Sequence, residues 1–120
     1  AEGEALLSSD EIMFYLIDPK TGVVIEPAHA LEGQSMAGKI LIFPGGKGSS
    51  VVQAAGLFQL NKEGNLPKAM IIQYPETVLV SSAIIMDIPM VDKVDKEFYE
   101  TIKSGDRIRI DADAGTIEIL

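Results

Sequence analysis

The chain consists mostly of short apolar runs separated by turn residues, which is typical of a β-rich domain. Runs with strand-like length and composition cover residues 12–17, 23–25, 39–43 and 69–72. The turn residues 18–22 predict that the first two runs form a hairpin. At the end of the chain, residues 108–110 and 116–119 flank the Ala114–Gly115 turn and predict a second hairpin.

From Ser50 onward the apolar residues change from strand-like to helical spacing. They recur three, four and seven positions apart and predict an amphipathic helix of about three turns: Val51, Val52, Ala55, Leu57, Phe58 and Leu60. Ser49 or Ser50 is the natural N-cap of this helix, because a serine hydroxyl accepts a hydrogen bond from the first-turn backbone.

The remaining segments are less specific. Residues 95–103 predict a short helix, since Phe98 and Ile102 stand four apart. Residues 76–80 fit a helix or a strand equally well. Pro89 restricts residues 88–91 to an edge or loop position. Together the elements predict the α/β class, as a small barrel or sandwich with helices on one side.

Length and hydropathy limit the architecture. With 120 residues, the chain forms one domain over positions 1–120. A mean hydropathy of +0.21 is on the apolar side for so small a chain. We therefore expect either an unusually aliphatic core or a surface that a partner covers.

Charge and cysteine content exclude several classes of function. The net charge of -8 argues against nucleic acid and anionic membranes as partners, because both need a cationic surface. No apolar run reaches the ~18 residues of a membrane helix. The first residues, Ala1 to Glu4, have no basic n-region and do not fit a signal peptide, so we expect a cytoplasmic protein. With no cysteine and only His29, this chain alone cannot hold an iron–sulfur cluster or a zinc–thiolate site.

The segment of residues 44–50, Pro-Gly-Gly-Lys-Gly-Ser-Ser, is the one that indicates chemistry. A strand ends, glycines permit a sharp turn, and a helix begins at two hydroxyls. Backbone N–H groups, the helix N-terminus and Lys47 would favour a carboxylate, a phosphate or an alkoxide there. The spacing differs from that of a P-loop, because Lys47 precedes Gly48. The alternative is an ordinary glycine-rich turn with a serine cap.

Several segments in a fixed order make the chain similar to the small subunit of the aconitase X family. The resemblance covers nearly the whole chain, and only the combination is specific: residues 3–6 (GEAL), 18–24 (DPKTGVV), 29–35 (HALEGQS), 38–50 (GKILIFPGGKGSS), 64–69 (GNLPKA), 83–92 (AIIMDIPMVD) and 105–108 (GDRI). Within the loop, Gly45–Gly46 stands where the family often has another residue.

The resemblance implies a swivelling β/β/α domain, a barrel with flanking helices like the small domain of aconitase. It also implies a heterodimeric dehydratase whose large catalytic subunit holds a [4Fe-4S] cluster. The implied small anionic substrate is (R)-5-phosphomevalonate, which loses water to give trans-anhydromevalonate 5-phosphate in an archaeal mevalonate pathway. An isolated small subunit would then be inert.

The family's catalytic serine corresponds to Ser49, which the resemblance makes the proton acceptor. Gly46, Lys47, Gly48 and Ser50 are the expected substrate-binding residues. For Ser50 the alternative is a helix cap, and for Lys47 it is a merely solvated lysine. Serine is a weak base unless it is ionised, so Ser49 needs nearby positive charge.

Other functions and roles stay open. One keeps the family and changes the substrate to cis-3-hydroxyproline. Another is a phosphohistidine carrier or a non-catalytic binding module, although the carrier's histidine position holds a serine here. His29 is expected to be structural or exposed. Asp87 lies in an apolar stretch and is expected at a solvent-exposed turn or in an ion pair.

Overall fold

The structure is a computed structural model that describes residues 1–47, 50–75, 77–92, 94, 96–111 and 113–120, without the side chains of residues 50–52. A short 3₁₀ helix, Phe14–Leu16, follows the first strand. The other elements, in chain order, are β1 Glu2–Leu7, β2 Ile40–Phe43, α1 Ser50–Lys62, β3 Ala69–Ile72, α2 Thr77–Ile85, β4 Met90–Val91, α3 Lys96–Thr101, β5 Arg107–Asp111 and β6 Thr116–Ile119.

The strands form one mixed sheet in the order β4-β3-β2-β1-β5-β6. Strands β1 to β4 are mutually parallel, with Ala5 beside Ile40 and Ile40 beside Ala69. Strands β5 and β6 form a hairpin antiparallel to β1, as the terminal turn predicts. Helices α1 and α2 connect the parallel strands, because a parallel pair cannot be joined by a tight turn.

Strands β2 and β3 are buried on both faces. Leu41 and Phe43 face a core that includes residues of α1 and α2. Ile40 and Ile42 face a second core, against which Phe98 of α3 packs. This explains the uninterrupted apolar runs of these strands. The prediction that helices lie on one side is wrong, because both apolar faces of the central strands need cover.

Strand β1 is absent from the sequence prediction, since Glu2, Gly3 and Glu4 have low strand propensity. In the sheet, Glu2 lies opposite Arg109 and Glu4 lies opposite Arg107. Cross-strand pairs of opposite charge stabilise such positions. The strand therefore depends on partners more than 100 positions away, which no local pattern shows.

The strand predicted over residues 12–17 is wrong. Its centre is the 3₁₀ helix, and only single bridges remain, from Ile12 to Gly46 and from Ile17 to Val24. Phe14 is fully buried and meets Phe43 edge to face, with ring centroids 5.8 Å apart. Tertiary packing of this ring outweighs the local strand preference. The predicted turn over residues 18–22 does form, with Gly22 in the left-handed region.

Helix α2 resolves the ambiguity of residues 76–80, although Glu76 lies outside the described residues. Leu79 and Ala83 are buried, whereas Ile84 and Ile85 are 75% and 81% exposed. Apolar residues on all sides remove the helical period from the pattern, so the sequence could not distinguish helix from strand. The apolar hydropathy thus reflects both an aliphatic core and exposed aliphatic residues.

Candidate active site

Residues 44–47 of the predicted site follow the carboxyl end of β2, the position where open parallel sheets place their ligand sites, and α1 begins at Ser50. Residues 8–13 follow β1 and residues 73–75 follow β3 at the same edge. The Tyr74 N–H donates to the Pro44 carbonyl over 2.8 Å. Residues 44–47 therefore have a neighbouring backbone segment of the same chain on each side.

Two hydrogen bonds to Ile12 fix the described part of this loop. The Ile12 N–H donates to the Gly45 carbonyl at 2.9 Å, and the Lys47 N–H donates to the Ile12 carbonyl at 3.0 Å. Gly46 forms a parallel bridge with the same residue. Residues 45–47 thus act as a short extension of the sheet, and the backbone before Gly48 has a defined position.

Gly46 is needed for close packing. A Cβ there would overlap the side chain of Gln53 in α1 and lie 2.8 Å from Cδ1 of Leu79 in α2. Neither Gly45 nor Gly46 has a positive φ. At position 46, glycine is therefore required by contact with two helices and not by a left-handed backbone.

Lys47 is paired with an acidic residue that the sequence analysis does not identify. Its Nζ lies 2.6 Å from Oε2 of Glu26, and the side chains are 37% and 17% exposed, respectively. Lys47 is therefore neither simply solvated nor a free cation awaiting an anion. Glu26 follows an apolar run and precedes Pro27, so the sequence gives no sign of this contact 21 positions away.

His29 has a structural place beside the loop. Its Nδ1 accepts a hydrogen bond from the Leu31 N–H at 2.9 Å, so Nε2 carries the proton and donates to the Glu11 carbonyl at 2.8 Å. The ring is buried. The Ala30 N–H donates to Oδ2 of Asp10 at 2.8 Å, which joins the same two segments again.

Three of the predicted site residues cannot be placed in full. Gly48 and Ser49 lie outside the described residues. Ser50 is the first residue of α1, but its side chain is not described. The structure therefore brings together Gly46, Lys47 and the start of α1. Asp87 stands apart from them at an exposed turn after α2, with φ +57°.

The described residues contain no group of three or more histidine, aspartate or glutamate side chains that could hold a metal ion. The sequence also lacks cysteine, so thiolate ligation of an iron–sulfur cluster does not fit this chain. Among the described residues, no helix is long and apolar enough to cross a membrane.

Comparison with known proteins defines the family. The family described as the aconitase X swivel domain matches residues 1–119, and the chain belongs to this family. Two archaeal proteins named phosphomevalonate dehydratase small subunit, from Methanococcoides burtonii and Thermococcus kodakarensis, are each 46% identical to it. Each alignment covers 100% of this chain and 88% of the relative.

Solved structures agree with this assignment. The crystal structure of Thermococcus kodakaraensis aconitase X in its holo-form matches with a TM-score of 0.90 and 45% identity, over 100% of this chain and 89% of that one. The solution NMR structure of a UPF0107 protein matches with a TM-score of 0.87 and 44% identity, over 100% and 90%. The predicted α/β class and the resemblance to aconitase X are confirmed.

Proposed function

We propose that residues 1–120 act as one swivelling domain, the small subunit of a two-subunit hydro-lyase. The reaction is the removal of water from (R)-5-phosphomevalonate to give trans-anhydromevalonate 5-phosphate. The observation that carries this proposal is similarity over 100% of this chain, at 46% identity, to proteins named phosphomevalonate dehydratase small subunit. The position of residues 44–47 at the carboxyl edge of the parallel strands supports a ligand site there.

The large subunit supplies what this chain lacks. Water elimination requires a base for the C–H proton and an acid for the leaving hydroxyl. A [4Fe-4S] cluster on the large subunit would act as the Lewis acid, because no cysteine is available here to hold it. The small anionic substrate then binds between the two subunits, with residues 45–50 at the contact.

Within this chain, Ser49 is the proposed proton acceptor. It immediately precedes the first residue of α1 in the sequence. A helix N-terminus stabilises a nearby anion by ~0.3–2 kcal/mol, or about tenfold in an ionisation equilibrium. That is far too little to ionise a serine at neutral pH. Lys47 adds little, since Glu26 already pairs with it. The missing positive charge therefore comes from the large subunit.

Co-expression with the large subunit under anaerobic conditions tests this function. The two chains should elute together on size-exclusion chromatography, and the complex should dehydrate (R)-5-phosphomevalonate. The isolated small subunit should bind no stoichiometric iron and show no turnover. A complex that prefers cis-3-hydroxyproline would contradict the substrate assignment, and chains that elute separately at micromolar concentration would contradict the two-subunit enzyme.

A further inference from the structure

We propose that Glu26 is a positioning residue of the candidate active site. It holds the ammonium group of Lys47 beside residues 45–47 and cancels its charge. Lys47 then orients the loop and is not the group that neutralises an anionic substrate. The kinetic consequence rests on the proposed dehydratase function, whereas the pairing itself does not.

A closed ring of hydrogen bonds fixes this pair. The Lys47 ammonium binds Glu26, while the Lys47 backbone N–H binds the carbonyl of Ile12. The neighbouring carbonyl, that of Glu11, accepts from the His29 ring at 2.8 Å. The backbone N–H of His29 donates a longer hydrogen bond of 3.4 Å to the Glu26 carbonyl and so closes the ring. Three separate segments therefore meet at one ion pair.

Burial makes Glu26 dependent on Lys47. One carboxylate oxygen, Oε2, contacts Nζ at 2.6 Å. The other, Oε1, is buried and has no hydrogen-bond partner among the described residues. If Lys47 moved to a substrate phosphate, a largely buried carboxylate would lose its counter-charge, which is strongly unfavourable. Lys47 is the more exposed partner and would tolerate separation better.

The turn that carries Glu26 also has an uncommon backbone conformation. Ala28 has φ +60°, a region that favours glycine. Its N–H donates to Oε1 of Glu32 at 3.2 Å, and the next two residues are tied to Glu11 and Asp10. Such conformations persist where surrounding contacts fix them, and they concentrate at functional sites. The position of Glu26 is thus set by several contacts.

A double-mutant cycle on this chain tests the pairing without any assay of activity. Lys47→Met leaves the buried carboxylate unpaired, so Tm should fall by about 5 °C or more. Glu26→Gln leaves a lysine that can reach solvent and should lower Tm less. The double variant should be more stable than Lys47→Met alone. The pairing would be overturned if the Tm losses of the two single variants added up in the double variant, or if Lys47→Met left Tm unchanged. The control is Glu100→Gln, in the exposed pair with Lys96.

Kinetics of the reconstituted two-subunit enzyme test the positioning role. With (R)-5-phosphomevalonate, Glu26→Gln should lower kcat by about tenfold or more without raising KM, because the loop shifts while the ammonium charge remains. Lys47→Arg preserves the ion pair and should retain kcat within about threefold.

The opposite pattern would identify Lys47 as a substrate-binding group. Glu26→Gln would then lower KM at unchanged kcat, and this result would overturn the proposal. A wild-type complex without turnover would overturn the proposed function, and the thermal cycle would still decide whether Glu26 holds Lys47. Glu100→Gln serves again as the control and should change neither kcat nor KM. Helix α3, which carries Glu100, packs on the face of the sheet opposite to α1 and α2.

Discussion

Gly56 of α1 lies directly against the backbone of Phe14 in the 3₁₀ helix. A Cβ at position 56 would overlap the main-chain atoms of Phe14 and Tyr15 and come within 2.6 Å of the Phe14 carbonyl oxygen. The contact sets how closely α1 approaches the segment that holds the loop, since Ile12 binds both Gly45 and Lys47. A glycine inside a helix thus positions the candidate site.

Replacement of Gly56 by alanine tests this contact, because helix propensity and packing predict opposite changes in stability. In a helix interior without such a contact, alanine is more stable than glycine by about 1 kcal/mol. Here the added methyl group meets backbone, so Gly56→Ala should lower the free energy of unfolding by about 1–3 kcal/mol. Denaturant unfolding measures this. Gln59→Ala, at an exposed position of the same helix, should change stability by less than about 0.5 kcal/mol. A stabilised Gly56→Ala variant would contradict the close contact.

Gly46→Ala tests how the packing of the loop against α1 and α2 affects both stability and turnover. The new Cβ would press on Gln53 and Leu79, and the buried Leu79 cannot easily move. The variant should stay folded and lose about 1–3 kcal/mol of stability, while turnover of the reconstituted enzyme falls at least about tenfold.

Gly45→Ala is the matched control for this loop. Its nearest contact would be the Tyr74 carbonyl oxygen at 3.2 Å, which is a milder approach. We expect smaller losses of both stability and turnover than for Gly46→Ala. Equal effects of the two substitutions would show that the contact with α1 and α2 is not what requires glycine at position 46.

The buried hydroxyl of Tyr99 predicts a loss of stability at high pH. Burial raises the pKa of Tyr99 above its ordinary value, and the negative charge of Asp92 raises it further. Between about pH 10 and the raised pKa, the unfolded chain releases a proton that the folded chain keeps. The contribution of the protonated Tyr99 hydroxyl to the free energy of unfolding is therefore complete below about pH 10. It is lost as the pH rises through the pKa of Tyr99 in the folded protein.

Tyr99→Phe should remove this dependence. The hydroxyl oxygen has no hydrogen-bond partner among the described residues, so the variant should be as stable as wild type, or more stable, at pH 7. Above about pH 10 its stability should fall less steeply. Thermal unfolding at pH 7 and between pH 9 and 11 measures both effects. Parallel curves for the two proteins would contradict the raised pKa.

The sequence predicts those elements whose signals are local. Strands β2 and β3 have continuous apolar runs, several apolar residues of α1 stand three or four positions apart, and the Ala114–Gly115 turn defines the terminal hairpin. Strand β1 and the 3₁₀ helix are missed because their conformation depends on distant partners. Strand β5 pairs with the acidic strand, where Arg107 forms an ion pair with Glu2, and Phe43 packs against the ring of Phe14.

The candidate site shows the same division. Pro44 to Ser50 is recognisable because glycines, a lysine and two serines are consecutive. Glu26, which forms the ion pair with Lys47, is not recognisable, since its burial and its ion pair arise only when the chain folds. The role of Ser49 rests on the resemblance to aconitase X and stays a prediction, because that residue lies outside the described part of the chain.

Turnover of Ser49→Ala and Ser50→Ala in the reconstituted two-subunit enzyme tests the central claim most directly. Because a general base contributes about 10²–10⁴-fold in rate, Ser49→Ala should lower kcat at least about 100-fold while the complex stays intact. Ser50→Ala should cost about 0.5–2 kcal/mol of stability as a cap and less rate. If Ser49→Ala keeps more than about a tenth of the wild-type rate, Ser49 is not the base.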